Sequence, residues 1–134
     1  MEKVKIIARY HDGTMVKGFT QDFSPNKPDF HIFLYEGRTP NERAEIFLRD
    51  LKAIFFVRDF AGRPDYEERK HFSPEERPSR RIVEVTFIDG EIIVCSTVGY
   101  DPNRSGFFIF PADPQGNNSR VFVLSKAVRK VRYL

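Results

Sequence analysis

Tryptophan is absent from this chain, and cysteine occurs once, at position 95. A lone cysteine excludes an internal disulfide framework and fits a reducing compartment. The three histidines, His11, His31 and His71, share no ligand spacing, so neither they nor Cys95 suggest a metal cluster. No apolar run approaches the roughly twenty residues of a membrane-spanning helix; the longest covers residues 53–57. The first ten residues alternate in polarity and lack the unbroken apolar core of a signal peptide. The expectation is a soluble, cytoplasmic protein with no membrane insertion. There is no glycine-rich phosphate loop, and Cys95 has no neighbour that would favour its thiolate. A catalytic site, a cofactor and a metal are therefore not expected.

What is present is phenylalanine, with fourteen copies in 134 residues. Phe adds buried area without a polar atom that needs a partner, which suits small cores. The net charge is only +3, but it is unevenly placed. Residues 58–80 mix both signs, whereas residues 120–134 carry five basic side chains and no acid. That basic end either attracts an anionic partner or is a solvated strand face.

The dominant feature is an internal repeat. Residues 4–57 align without a gap onto residues 81–134 at a constant offset of 77, and ten of the 54 pairs are identical. The identities fall on turn residues and strand cores: Asp12-Gly13 on Asp89-Gly90, Thr20 on Thr97, Pro25-Asn26 on Pro102-Asn103, Phe30 on Phe107, Ile32-Phe33 on Ile109-Phe110, Asn41 on Asn118 and Arg43 on Arg120. Each copy reads as five short strands. In the first copy, period-two alternation predicts strands near residues 4–10, 14–22, 30–35, 44–48 and 51–57, with Asp12-Gly13 as a hairpin turn. In the second they fall near residues 82–87, 91–98, 107–110, 121–124 and 128–134, and no segment has a sustained helical period. The resulting division is a first barrel copy over residues 1–58, a charged linker over 59–79 and a second barrel copy over 80–134. Within the linker, Ser73-Pro74-Glu75-Glu76 suggests one short helical turn, and Phe60 and Tyr66 are expected to pin the segment down.

The last strands of the two copies differ in a telling way. Ile54 and Phe56 correspond to Val131 and Tyr133, which marks one face as core in both. The opposite face carries Ala53, Phe55 and Val57 in the first copy but Lys130, Arg132 and Leu134 in the second. An apolar outer face of this kind needs a cover: the second copy, the linker or a partner chain.

The strand, Asp-Gly turn and bent strand of residues 4–22, with the closing residues 46–54, resemble the small SH3-like barrels and among them the Sm-like barrel. The resemblance implies an all-β protein of two tandem five-stranded SH3-like/Sm-like barrels packed together. The strings of residues 12–28 and 51–60 are also similar to a poorly characterised bacterial domain whose relatives occur beside PilZ domains, which implies a setting in bacterial signalling.

The first functional expectation is a non-catalytic interaction module that binds a protein partner through loops and strand edges, with a homodimer among the alternatives. Its expected surfaces are the matched turns at Pro25, Asn26 and Lys27 and at Pro102, Asn103 and Arg104, the loop at Asn117-Asn118, and the basic last strand. A second reading is a PilZ-like site for a cyclic dinucleotide (cyclic di-GMP). Arg77-Pro78-Ser79-Arg80-Arg81 resembles the PilZ Arg-x-x-x-Arg element, and Asn103-Arg104-Ser105 begins the second element. A third is a single-stranded RNA or DNA surface using Lys126, Arg129, Lys130 and Arg132 beside exposed aromatics. The candidate ligand-binding residues are thus Arg77, Arg81, Asn103, Arg104, Lys126, Arg129, Lys130 and Arg132.

Overall fold

The computed structural model describes residues 3–76 and 78–134. Its strands are β1 (Val4–Tyr10), β2 (Met15–Thr20), β3 (Asp29–Leu34), β4 (Arg43–Phe47), β5 (Leu51–Val57), β6 (Arg81–Phe87), β7 (Ile92–Thr97), β8 (Gly106–Pro111), β9 (Asn118–Leu124) and β10 (Val128–Tyr133). The 3₁₀ turns Leu48–Asp50 and Ser125–Ala127 join β4 to β5 and β9 to β10. No helix among the described residues is long and apolar enough to cross a membrane.

All ten strands belong to one antiparallel sheet in the order β10-β6-β7-β8-β9-β5-β1-β2-β3-β4. Within it the first repeat runs β5-β1-β2-β3-β4 and the second β10-β6-β7-β8-β9, the same order twice. Closure is where expectation and structure part. Two tandem five-stranded barrels packed together were expected, with separate and shared cores both open; the sheet is instead continuous and unclosed, with β4 and β10 at its edges. The reason is strand choice: β5 pairs with β9 of the other repeat, from Ala53 opposite Val123 to Val57 opposite Asn118, and not with β4 of its own.

Local chemistry builds each repeat the same way. Gly13 and Gly90 take φ of +92° and +95°, a region open to glycine and costly for most other residues. The preceding aspartates lock the turns, with Thr14 N–H donating to Asp12 Oδ1 (2.9 Å) and Glu91 N–H to Asp89 Oδ1 (3.0 Å). Gly18 lies where β2 crosses β3, and a Cβ there would collide with the carbonyl oxygen of Phe33. The Thr20 hydroxyl donates to His31 O (2.9 Å), and the Thr97 hydroxyl to Phe108 O (2.8 Å). The repeated threonine therefore ties the second strand of each copy to the third.

The sheet curls around two cores. The first is built by Ile6, Ala8, Phe30, Ile32, Ile46, Leu48, Leu51, Ile54 and Phe56, and it also receives Phe122 and Leu124 from the second repeat. The second holds Val83, Val85, Phe87, Ile109, Val121 and Val123, and it takes Ala53, with Phe55 packed against it, from the first repeat. β5 and β9 thus present apolar side chains on both faces, one face to each core. The outer face of β5 is covered by the second repeat, one of the covers the sequence allowed.

The linker is pinned at Phe60 and at Tyr66. Phe60 is buried, with its ring 4.3 Å from Tyr35 and 5.4 Å, edge on, from Phe19. The Tyr66 hydroxyl donates to Asp113 Oδ2 (2.6 Å). The segment starting at Ser73 forms a single hydrogen-bonded turn, Glu76 N–H to Ser73 O (3.1 Å), and not the expected helical turn. The Glu76 carboxylate accepts from the Ser73 N–H (2.7 Å) within that one turn.

Since Phe122 belongs to the second repeat and sits in the first core, Phe122→Ala should destabilise the whole chain by about 3–5 kcal/mol. Urea unfolding should remain one cooperative transition. Two transitions, with only the second repeat weakened, would show the halves to be independent.

Candidate functional site

The two turns that the repeat shares, residues 25–28 and 102–105, come together on one side of the molecule. Each is backed by the 3₁₀ turn of its own repeat. Leu48 N–H donates to Pro28 O (2.9 Å), and its counterpart Ser125 N–H donates to Ser105 O (2.9 Å). The Ser105 hydroxyl then crosses between repeats to Pro25 O (3.0 Å). Between these four turns lies a cleft of about 750 Å³, within the usual size range of ligand sites.

The cleft has an apolar floor and a cationic rim. Leu48, Leu51 and Leu124 are buried at its base, with partly buried Phe47 and the exposed prolines beside them. Lys27, Arg49, Arg104 and Lys126 line it, all exposed, and no carboxylate does. These four cations are two repeated pairs, since Lys27 corresponds to Arg104 and Arg49 to Lys126 at the 77-residue offset. Charge is kept at both positions in both copies although the residue changes from Lys to Arg or back. Only weak neighbours compete for it: Asp50 lies 3.9 Å from Arg49 and Asp101 lies 3.8 Å from Arg104, spacings that contribute little at an exposed surface.

Of the residues expected to bind, Asn103, Arg104 and Lys126 meet in this cleft. Asn103 also closes its own turn, its N–H donating to Asp101 Oδ1 (2.9 Å). The others lie elsewhere. Arg129, Lys130 and Arg132 are on the open edge strand β10, where Arg132 pairs with Glu84 (3.1 Å) and Arg129 donates to Ile88 O (3.1 Å). Arg81 lies 4.5 Å from the Tyr133 ring centroid, away from the cleft lining, and Arg77 falls outside the described residues. The expected surface at Asn117-Asn118 has a structural use. The Asn117 amide clasps Asp59, accepting from its N–H (3.0 Å) and donating to its carbonyl (2.9 Å). Arg49 and the leucine floor were not foreseen. The signal for Arg49 was the offset itself, which places it on Lys126.

Elsewhere, Cys95 is buried, which pushes its thiol up to about 12. His31 is partly buried on β3, with Nδ1 2.9 Å from Asp22 Oδ2. No group of metal-binding side chains occurs among the described residues. Asp113 organises the linker contact. The Arg69 N–H, the Tyr66 hydroxyl and the Gln115 N–H donate to its carboxylate and hold it near a pKa of about 2.

A protein-family model described as a family of unknown function (DUF6982) matches residues 2–134. No curated protein and no solved structure matches the chain.

Because the folded state lowers the Asp113 pKa, its contribution is present above the ordinary value of 3.8 and is lost as pH falls toward about 2. The protection of the Arg69 amide against hydrogen exchange, measured relative to the unstructured amide at the same pH, should therefore fall over that window, and Asp113→Asn should lower it already at pH 7. Unchanged exchange in the variant would mean that Asp113 does not hold the linker.

Proposed function

We propose that this chain, which belongs to the DUF6982 family of unknown function, is a non-catalytic binding module that takes an acidic, leucine-like peptide segment of a partner protein into the cleft between its repeats. The observation that carries the reading is the rim of four cations at duplicated positions above an apolar floor, with no acid in the lining. Carboxylates of a peptide would meet Lys27, Arg49, Arg104 and Lys126, while its apolar side chains would rest on Phe47, the three prolines and the accessible edges of Leu48 and Leu124. Rim charges of this kind steer and select a partner, and apolar contact below supplies most of the hold.

The peptide reading is favoured over single-stranded nucleic acid by the aromatics. Base stacking needs open ring faces, and the one ring lining the cleft, Phe47, is partly buried with Arg49 5.0 Å from its centroid. The cyclic dinucleotide reading needs Arg81 and Asn103 to act together, and they lie on separate features. The same proposal takes each repeat as kin to the SH3-like barrels, supported by the strand order shared by both halves, and it keeps the bacterial-signalling setting that the sequence resemblance implied.

The test is a fluorescence titration of the full chain with a labelled peptide alternating Glu and Leu, beside a Lys-Leu peptide, cyclic di-GMP and oligo(dT). The Glu-Leu peptide should bind, weaken with salt, and lose about tenfold affinity in Arg49→Ala and in Arg104→Ala. Binding of only the nucleic acid or the dinucleotide, or equal binding of both peptides, would overturn the reading.

A further inference from the structure

The open edges β4 and β10 are, at the 77-residue offset, the counterparts of β9 and β5, the two strands that join the repeats. We propose that chains associate head to tail, β10 of one molecule pairing with β4 of the next, so that the junction made inside the chain is repeated between chains. The occupant of each edge is a second copy because the internal junction supplies the template, register included.

Inside the chain Ile54 stands opposite Phe122 and Phe56 opposite Arg120. Transferred by the offset, Val131 would stand opposite Glu45 of the next molecule, and Tyr133 opposite Arg43. The second of these pairs keeps its chemistry. Arg120 lies 4.3 Å from the Phe56 ring centroid, and Tyr133 and Arg43, both exposed, offer the ring face that Arg81 does not cover and a guanidinium. A second internal contact also survives. Buried Lys52 reaches from the first repeat to Asp89 (2.7 Å) and Glu91 of the second. At the 77-residue offset Lys52 corresponds to Arg129 and Asp89 to Asp12, an exposed cation and an exposed anion, while Glu91 corresponds to the uncharged Thr14, so one of the two ion pairs is kept.

The differences set the strength of the contact. Phe122 and Phe108, which pack into the first core, are replaced by Glu45 and His31 in the corresponding positions on the β4 side. Lys130 and Arg132 take the places of Ala53 and Phe55. Charged side chains on an edge strand oppose irreversible sheet extension. The contact between chains is thus the polar version of the one within, and it is weak, reversible and salt-sensitive. It is also heterologous, since the two surfaces differ, so it can propagate or close only in a ring.

The experiment is sedimentation velocity on the full chain over a concentration series at low and high salt, with two edge variants. Arg43→Glu blocks β4, and Arg129→Glu combined with Tyr133→Ala blocks β10; far-UV circular dichroism verifies that both fold. The parent chain should gain mass with concentration at low salt and lose it at high salt. Each variant alone should associate about tenfold more weakly or not at all. Mixing the two variants should give a one-to-one dimer that grows no further, because one live β10 edge meets one live β4 edge. A parent chain that stays monomeric at low salt, variants that associate like the parent, or a mixture no heavier than its parts would each overturn the proposal.

Discussion

The antiparallel pairing of β5 with β9 is the contact on which the rest of the structure depends. Each strand belongs to a different repeat, and each carries apolar side chains on both faces, so one pairing closes two cores at once. Remove it and Ala53 and Phe55 lose their cover in the second core, as do Phe122 and Leu124 in the first. Five short strands with an open side are marginal alone, because small units bury too little of their surface. The duplication solves this by lending each half a strand whose outer face is as apolar as its inner one.

The same junction places the candidate cleft. Turns at equivalent positions in two repeats need not be neighbours. Here the β5–β9 pairing and the Ser105-to-Pro25 hydrogen bond bring them to one side, so cations that are 77 residues apart in the chain share one rim. Arg58, at the end of the first copy, and Arg63 of the linker together clamp the loop before β9. The Arg58 guanidinium donates to Gly116 O and to Pro114 O (3.0 Å), and that of Arg63 donates to Gln115 O. Further along the linker, Arg69 pairs with Glu76 (2.8 Å) and Lys70 with Glu68 (3.3 Å).

Much of the fold was legible because it is local. Alternation marked the strands, and Asp12-Gly13 and Asp89-Gly90 marked hairpins that the positive φ of both glycines bears out. The asymmetry between Phe55 and Arg132 announced a covered face. What the sequence hid was partner choice. Period-two alternation says which residues share a face, not which strand lies alongside, so closed barrels and a shared open sheet read alike until β5 is seen beside β9. Identity was also no guarantee of role. Asn41 has φ +67° in a loop, whereas its identical partner Asn118 opens β9. In the cleft, Asn103, Arg104 and Lys126 were legible as turn and basic residues. Arg49 was passed over because it adjoins Asp50 in a two-residue turn and shows its use only beside its counterpart.

Native-state hydrogen exchange, resolved to single amides, tests the shared junction most directly. The account predicts that the β5 and β9 amides exchange only through global unfolding, with the same opening free energy on both strands and the highest protection in the chain. Exchange of those amides through a cheaper opening, while β1–β3 and β6–β8 stay protected, would contradict it by showing two units that part and persist separately.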